Sequence, residues 1–157
     1  IPAIDNLALG DIKKIPDKER IRKAAQAAGI DDVLDRLPHG YDTLLGNLFK
    51  GGEELSIGQW QKMAVARAFY RDAPLLLMDE PSSALDAASE LQMIKSLQQL
   101  SSNKTAVIVS HRLTTIQWAD LIYLFHEGEI IESGDHKELM TLKGKYFDLF
   151  QTVNSTL

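Results

Sequence analysis

Three features of this chain could do chemistry: a pair of adjacent carboxylates, a serine at a helix start and a histidine at a strand end. Asp79 and Glu80 follow four apolar residues, Leu75-Leu76-Leu77-Met78. Two carboxylates in that position can act differently, one holding Mg²⁺ through water and the other orienting or deprotonating a nucleophilic water. A solvated strand end fits the same pattern. Upstream, Leu55-Ser56-Ile57-Gly58-Gln59 is a small polar and glycine turn that opens into an apolar-faced run. Ser56 stands where an N-cap belongs, and the free N–H groups and positive dipole end of a helix start suit an anion or phosphate. An ordinary capped helix is the blander reading. His111 closes the run Thr105 to Ser110. If that strand lies parallel to the Asp79 strand, its imidazole reaches the same sheet edge and could hydrogen-bond a phosphate or an attacking water. The alternative is a hydrogen-bonded structural histidine. His39, His126 and His136 lack such a setting and read as surface residues.

These groups need a scaffold, and the hydrophobic pattern supplies one. Trp60, Met63, Ala64, Val65, Ala68 and Phe69 recur at helical spacing, predicting an amphipathic helix from Gly58 to about Arg71. Pro74 then introduces a short all-apolar segment, expected to be a buried parallel strand with its carboxylates at the ligand-binding end. Before these lie a helix over 17–28, with Ile21, Ala24, Ala25 and Ala28 on its apolar face and Gly29 as its stop, and a shorter helix over 31–37. Residues 1–9 are short, apolar and broken by Pro2, and the glycine-rich stretch 41–54 reads as loop. After the carboxylates come a helix over 87–100, with Leu91, Ile94 and Leu97 on one side and Ser101-Ser102-Asn103 as its stop, and a buried-type strand over 105–109. A helix over 114–119, a strand over 121–125, a turn-rich β segment over 128–134 and helices over 136–142 and 145–153 complete the chain. Alternation of strand and helix argues for parallel α/β packing.

Composition narrows the class. At 157 residues, with 45% hydrophobic and 25% charged residues, the chain is an ordinary globular one of about one domain. A formal charge of −5 argues against nucleic acid or an anionic membrane as the main partner. Cysteine is absent, so disulfides and thiolate metal sites are excluded. No apolar run approaches the roughly 18 residues of a membrane span. The chain opens Ile1-Pro2-Ala3, without methionine or signal peptide, and reads as a piece of something longer.

LSIGQ at 55–59, LLLMDEP at 75–81, SSALD at 82–86 and a strand ending in Ser110-His111 are far more specific together than singly. In this order and spacing they resemble the nucleotide-binding domain of an ATP-binding cassette (ABC) transporter, over nearly the whole chain. GYDTLLG at 40–46 and Tyr146-Phe147-Asp148-Leu149-Phe150 are most similar to bacterial exporter subunits that fuse this domain to a membrane domain. The resemblance implies an α/β fold, a partial P-loop NTPase (ABC ATPase) sheet with a helical subdomain. About 1–71 would be the helical subdomain and signature helix, and about 73–157 the remainder of the RecA-like core. It further implies that Leu55, Ser56, Ile57, Gly58 and Gln59 form the signature motif contacting ATP. Asp79 would hold Mg²⁺, Glu80 would be the catalytic glutamate and His111 the switch histidine, while Ser83 and Asp86 would belong to the D-loop. The implied partners are a second nucleotide-binding domain, paired head to tail, and a transmembrane domain, at the cytoplasmic face of the cell membrane.

Two departures from the family pattern are visible. The one glycine-lysine pair, Gly144-Lys145, fits no G-x-x-x-x-G-K-[ST] motif, so the chain carries no P-loop to cradle the α- and β-phosphates. Ile57 stands where the family usually has glycine, and a β-branched residue would crowd a close backbone–phosphate approach. The residues alone, as a C-terminal part of such a domain, are therefore expected to bind MgATP weakly or not at all, and, lacking a central strand of the core, to be marginally stable. A non-hydrolysing module that lends a signature surface to a complete partner, or an inactive truncated product, stands as the alternative.

Overall fold

A computed structural model describes residues 1–47, 50–101 and 104–154, and it divides into two compact units, Ile1–Ile108 and Val109–Leu157. In the first unit α1 (Ala3–Ala8), α2 (Lys18–Ala27), α3 (Asp31–Asp35) and α4 (Ile57–Arg71) precede strand β1 (Leu75–Asp79), helix α5 (Ala87–Ser101) and strand β2 (Thr105–Val109). The short apolar start of the chain forms α1: Pro2 sets its entry and the Ala3 N–H donates to the Thr43 carbonyl at 3.0 Å. Part of the expected stop of α5, residues 102 and 103, lies outside the described residues.

The 3.6-residue period decides which side of α2 goes inside. Ile21, Ala24, Ala25 and Ala28 are all buried, the Asp17 carboxylate caps the first turn, and Gly29 leaves the helix at φ 69°. That face meets α4 through Met63, Ala66, Phe69 and Tyr70, and Leu7, Ile30 and Leu34 close the core. Arg20 lies 5.1 Å over the Tyr70 ring and donates to the Tyr70 carbonyl at 3.0 Å, closing the last turn of α4. Asp72 then turns left-handed at φ 56° and pairs with Lys104.

Beneath α4 lies the sheet. The Thr105 N–H donates to the Pro74 carbonyl at 3.1 Å, so β1 and β2 begin side by side in a two-stranded sheet. The expectation of a strand buried on both sides fails here. Leu76 and Met78 point into the core, but Leu75 is 48% and Leu77 72% exposed, and Val107 on β2 is 49% exposed. Strand alternation sends every second side chain to the far face, and no described element covers it. On α5 the inward side holds Met93, Ile94 and Leu97, whereas Leu91, expected inside, is 46% exposed.

The second unit holds α6 (Leu113–Ile116), strands β3 (Ile122–His126) and β4 (Glu129–Gly134), and helices α7 (His136–Leu142) and α8 (Lys145–Asn154). β3 pairs with β4 antiparallel rather than continuing a parallel series. The cause is local: Glu127 and Gly128 both take positive φ, 50° and 86°, the two-residue hairpin geometry that matches strand twist. Ile122, Leu139 and Tyr146 form its core. His136, expected on the surface, packs into this cluster: its Nδ1 lies 2.9 Å from the Tyr146 hydroxyl and its ring 4.9 Å from that of Phe150. An apolar residue four positions beyond Tyr146 makes the pocket that an isolated reading of His136 does not see. His39 and His126 are exposed, as expected.

Candidate functional site

Ser56 takes extended backbone angles and caps α4. Its Oγ accepts the Gln59 N–H at 3.3 Å, while the Ser56 N–H donates back to Gln59 Oε1 at 2.8 Å. This capping box was legible as Ser56-x-x-Gln59, although the sequence reading named only the serine. Leu55, 4% exposed, anchors the turn in the core, leaving Ser56 exposed at the helix start. Ile57 points outward, 79% exposed. The close approach occurs one residue later: a Cβ at Gly58 would stand 2.8 Å from the Ala84 carbonyl oxygen, nearer than a side chain tolerates. This turn needs its glycine at 58, against the 80–86 loop.

That loop begins where β1 ends. Asp79 is the last residue of the strand and its side chain is exposed. Glu80 follows at φ 46°, in the left-handed region that a residue of this type adopts only where its surroundings impose it. Its Oε2 is sealed from solvent. The two adjacent carboxylates therefore occupy different environments, one open and one enclosed. Ser83 N–H and Leu85 N–H donate to the carbonyls of Glu80 and Ser82, giving two successive turns. Ser82 is fully buried and donates to Glu90 Oε1 at 3.2 Å, and Leu85 is buried below. Asp86 ends the loop and caps α5, its carboxylate accepting the Ser89 N–H at 2.9 Å and the Ser89 hydroxyl at 2.8 Å. Those bonds, the backbone one first, hold the Asp86 carboxyl below its ordinary range.

Two residues of α4 that the sequence reading passed over hold this loop. Gln61 Nε2 donates to the Glu80 carbonyl at 2.7 Å and to Ser83 Oγ at 3.0 Å, and its Oε1 accepts the Ala84 N–H at 2.9 Å. Lys62 donates to Ser89 Oγ at 3.0 Å, and so reaches the cap made by Asp86. Gly58, Gln61 and Lys62 stand three and four positions apart, on one helical face; that spacing was the available signal. On the far side of α4 the Trp60 indole N–H donates to Glu54 Oε1 at 3.0 Å, and with the Asn47 N–H it keeps the Glu54 carboxyl below its ordinary range.

The structure thus gathers the 55–59 turn and the 79–86 loop on one scaffold. His111 lies near the start of the second unit, exposed, just after β2. An exposed carboxylate oxygen at Asp79 is the hard donor that Mg²⁺ takes alongside phosphate oxygens. Among the described residues, no group of three or more His, Asp or Glu side chains could hold a metal ion by itself. An ion here would need oxygens from a bound phosphate, and the open helix start at Ser56 separately suits a phosphate group.

A family model described as ABC transporter matches residues 5–83. The chain is 45% identical over 146 residues to a multidrug resistance protein 1 of Entamoeba histolytica, covering 92% of this chain and 11% of that protein. It is 44% identical over 146 residues to an ATP-dependent lipid A-core flippase of Ralstonia nicotianae, covering 92% of this chain and 24% of the flippase. Among solved structures, a bacterial Atm1-family ABC exporter with ATP bound superposes with a TM-score of 0.85 at 32% identity, over 96% of this chain and 26% of the exporter chain. The 157 residues therefore span at most about a quarter of the length of these relatives. The α/β fold expected from the motifs is the fold of the matching part of that exporter.

Proposed function

This chain belongs to the ABC transporter family, and on that premise we propose that it is part of an ATP-hydrolysing subunit that drives export across a membrane. The observation that carries this reading is the contrast between the neighbouring carboxylates, Asp79 open at the strand end and Glu80 enclosed at the head of a strained turn. Adjacent groups in unlike surroundings are suited to unlike tasks. Asp79 would hold Mg²⁺, which when bound neutralises charge on the phosphate oxygens. Glu80 would orient the attacking water and accept its proton. Ser56 and the N–H groups after it would face the γ-phosphate of ATP held by a second nucleotide-binding domain, paired head to tail. Ser83 and Asp86 would line that interface, and His111 would hydrogen-bond the γ-phosphate or the water.

The α- and β-phosphates need a P-loop, and these 157 residues contain none. In this reading the loop lies elsewhere in the full-length subunit, beside a transmembrane domain at the cytoplasmic face of the membrane. The 157 residues by themselves would then bind MgATP weakly. Residues from about 1 to 71 would act as the helical subdomain and those from about 73 to 157 as the remainder of the core.

Head-to-tail pairing makes a test available. Two full-length subunits, one carrying Ser56→Arg and the other Glu80→Gln, should each hydrolyse MgATP poorly alone. Mixed, they form dimers in which one site combines an intact Ser56 with an intact Glu80. Turnover recovered on mixing supports the assignment. Heterodimers that form without any recovery would contradict it.

A further inference from the structure

Gln61 makes contacts that neither the helix cap nor the carboxylate pair accounts for. Its Nε2 faces two oxygens, the Glu80 carbonyl at 2.7 Å and Ser83 Oγ at 3.0 Å, while its Oε1 faces the Ala84 N–H at 2.9 Å. Acceptors on one side and a donor on the other admit one amide orientation only. A single side chain of α4 thereby holds both ends of the turn that starts at Glu80. The bond to the Glu80 carbonyl has the most consequence. That oxygen lies in the peptide plane joining Glu80 to Pro81, so pinning it fixes ψ of Glu80. With φ at 46° setting the side chain against the strand, ψ sets it against the turn that follows, so the pinned carbonyl holds the Glu80 side chain in one orientation over the 80–84 turn. Gly58 against the Ala84 carbonyl and Lys62 on Ser89 attach the same loop to α4 at two further points.

We propose that Gln61 is a positioning residue, aiming the Glu80 carboxylate by setting the backbone turn beneath it. The proposal rests on the ATPase reading above. Gln61 touches no reacting atom; it acts through Glu80, and a base held in one orientation works better than one that must find it.

The experiment uses the full-length protein and MgATP, and reads kcat, KM and nucleotide affinity for four variants: Gln61→Met, Gln61→Glu, Glu80→Gln and the Gln61→Met/Glu80→Gln double variant. Gln61→Met keeps the side-chain shape and deletes the three hydrogen bonds. It should lower kcat by ~10- to ~100-fold while KM and affinity stay within about threefold. In the Glu80→Gln background it should cost almost nothing more, because the group it positions has already lost its function. Gln61→Glu keeps an acceptor for the Ala84 N–H but can donate to the Glu80 carbonyl only when protonated. Its turnover relative to wild type should therefore rise as pH falls from about 7 to about 5, toward the ordinary carboxyl value of about 4.3, as the introduced carboxyl takes up a proton. A merely structural role would not produce that dependence. Unchanged kcat in Gln61→Met, or equal fractional losses in both backgrounds, would overturn the proposal and leave the ATPase reading standing. Should Gln61→Met fail to fold, a flat pH ratio for Gln61→Glu would overturn it alone. Wild-type protein without Glu80-dependent turnover would instead overturn the ATPase reading, and the proposal with it.

Discussion

Within the first unit, α2, α3 and α4 bury Ile21, Leu34 and Met63 completely, whereas the sheet beside them leaves Leu75 48% and Leu77 72% exposed. The less buried region is the more apolar in sequence: four of the five residues of β1 are apolar, against four of the ten in α2. Among the described residues the helices find their partners, and the outer sheet face finds none. Apolar content therefore says that a surface seeks burial, not whether the same stretch of chain supplies the cover.

The largest expected effect tests this contrast by substitution. Leu34→Ala removes a fully buried side chain and should destabilise the 157-residue chain by about 2–5 kcal/mol. Leu77→Ser on the open sheet face should change stability by no more than ~0.5 kcal/mol and reduce binding of a hydrophobic dye. Denaturant unfolding of both variants measures the difference. A loss for Leu77→Ser as large as that for Leu34→Ala would break the comparison, showing that the sheet face is covered in solution.

A smaller effect concerns charge beside the helix starts. The carboxyls of Glu54 and Asp86 are both held below their ordinary range, Glu54 chiefly by the Trp60 indole N–H and Asp86 by Ser89. A carboxylate depressed in the folded state stabilises it fully above the unfolded pKa, and that contribution fades as pH falls through the folded value. The loss should lie below the ordinary carboxylate value of about 4.3. Trp60 reports it directly: in a Trp118→Phe background, its emission should titrate with a midpoint under that value, and Glu54→Gln should abolish the step. A midpoint at or above the ordinary value would show that the Glu54–Trp60 bond does not persist in solution.

Legibility followed the same division. The face of α2 was readable to the residue, because Ile21, Ala24, Ala25 and Ala28 keep helical spacing and Gly29 marks the stop. On α4 the spacing found Met63, Val65 and Phe69 but counted Ala64 as interior, which is exposed, and omitted Tyr70, which is 1% exposed. Tyr70 packs in the core, and its hydroxyl accepts the Asp17 N–H, 53 positions away, at 3.3 Å. No local pattern records such a contact. The strands announced themselves by their apolar and β-branched runs, yet their burial depends on neighbours that a strand does not encode. At the candidate site Lys62 was passed over, while Ser56, Asp79, Glu80 and Asp86 were singled out because carboxylates and a capping hydroxyl make their chemistry explicit. Gln61 was not, since a neutral amide on a helix acquires meaning only from the carbonyl and N–H it meets across the loop.

The central proposal is that Glu80 is the hydrolytic carboxylate of a transporter ATPase subunit. Full-length protein with Glu80→Gln keeps the shape of the side chain and loses the group that can accept a proton from water. MgATP turnover, measured beside ATP affinity, should fall by about 10²–10⁴-fold with affinity preserved. Turnover close to wild type in that variant would contradict the account.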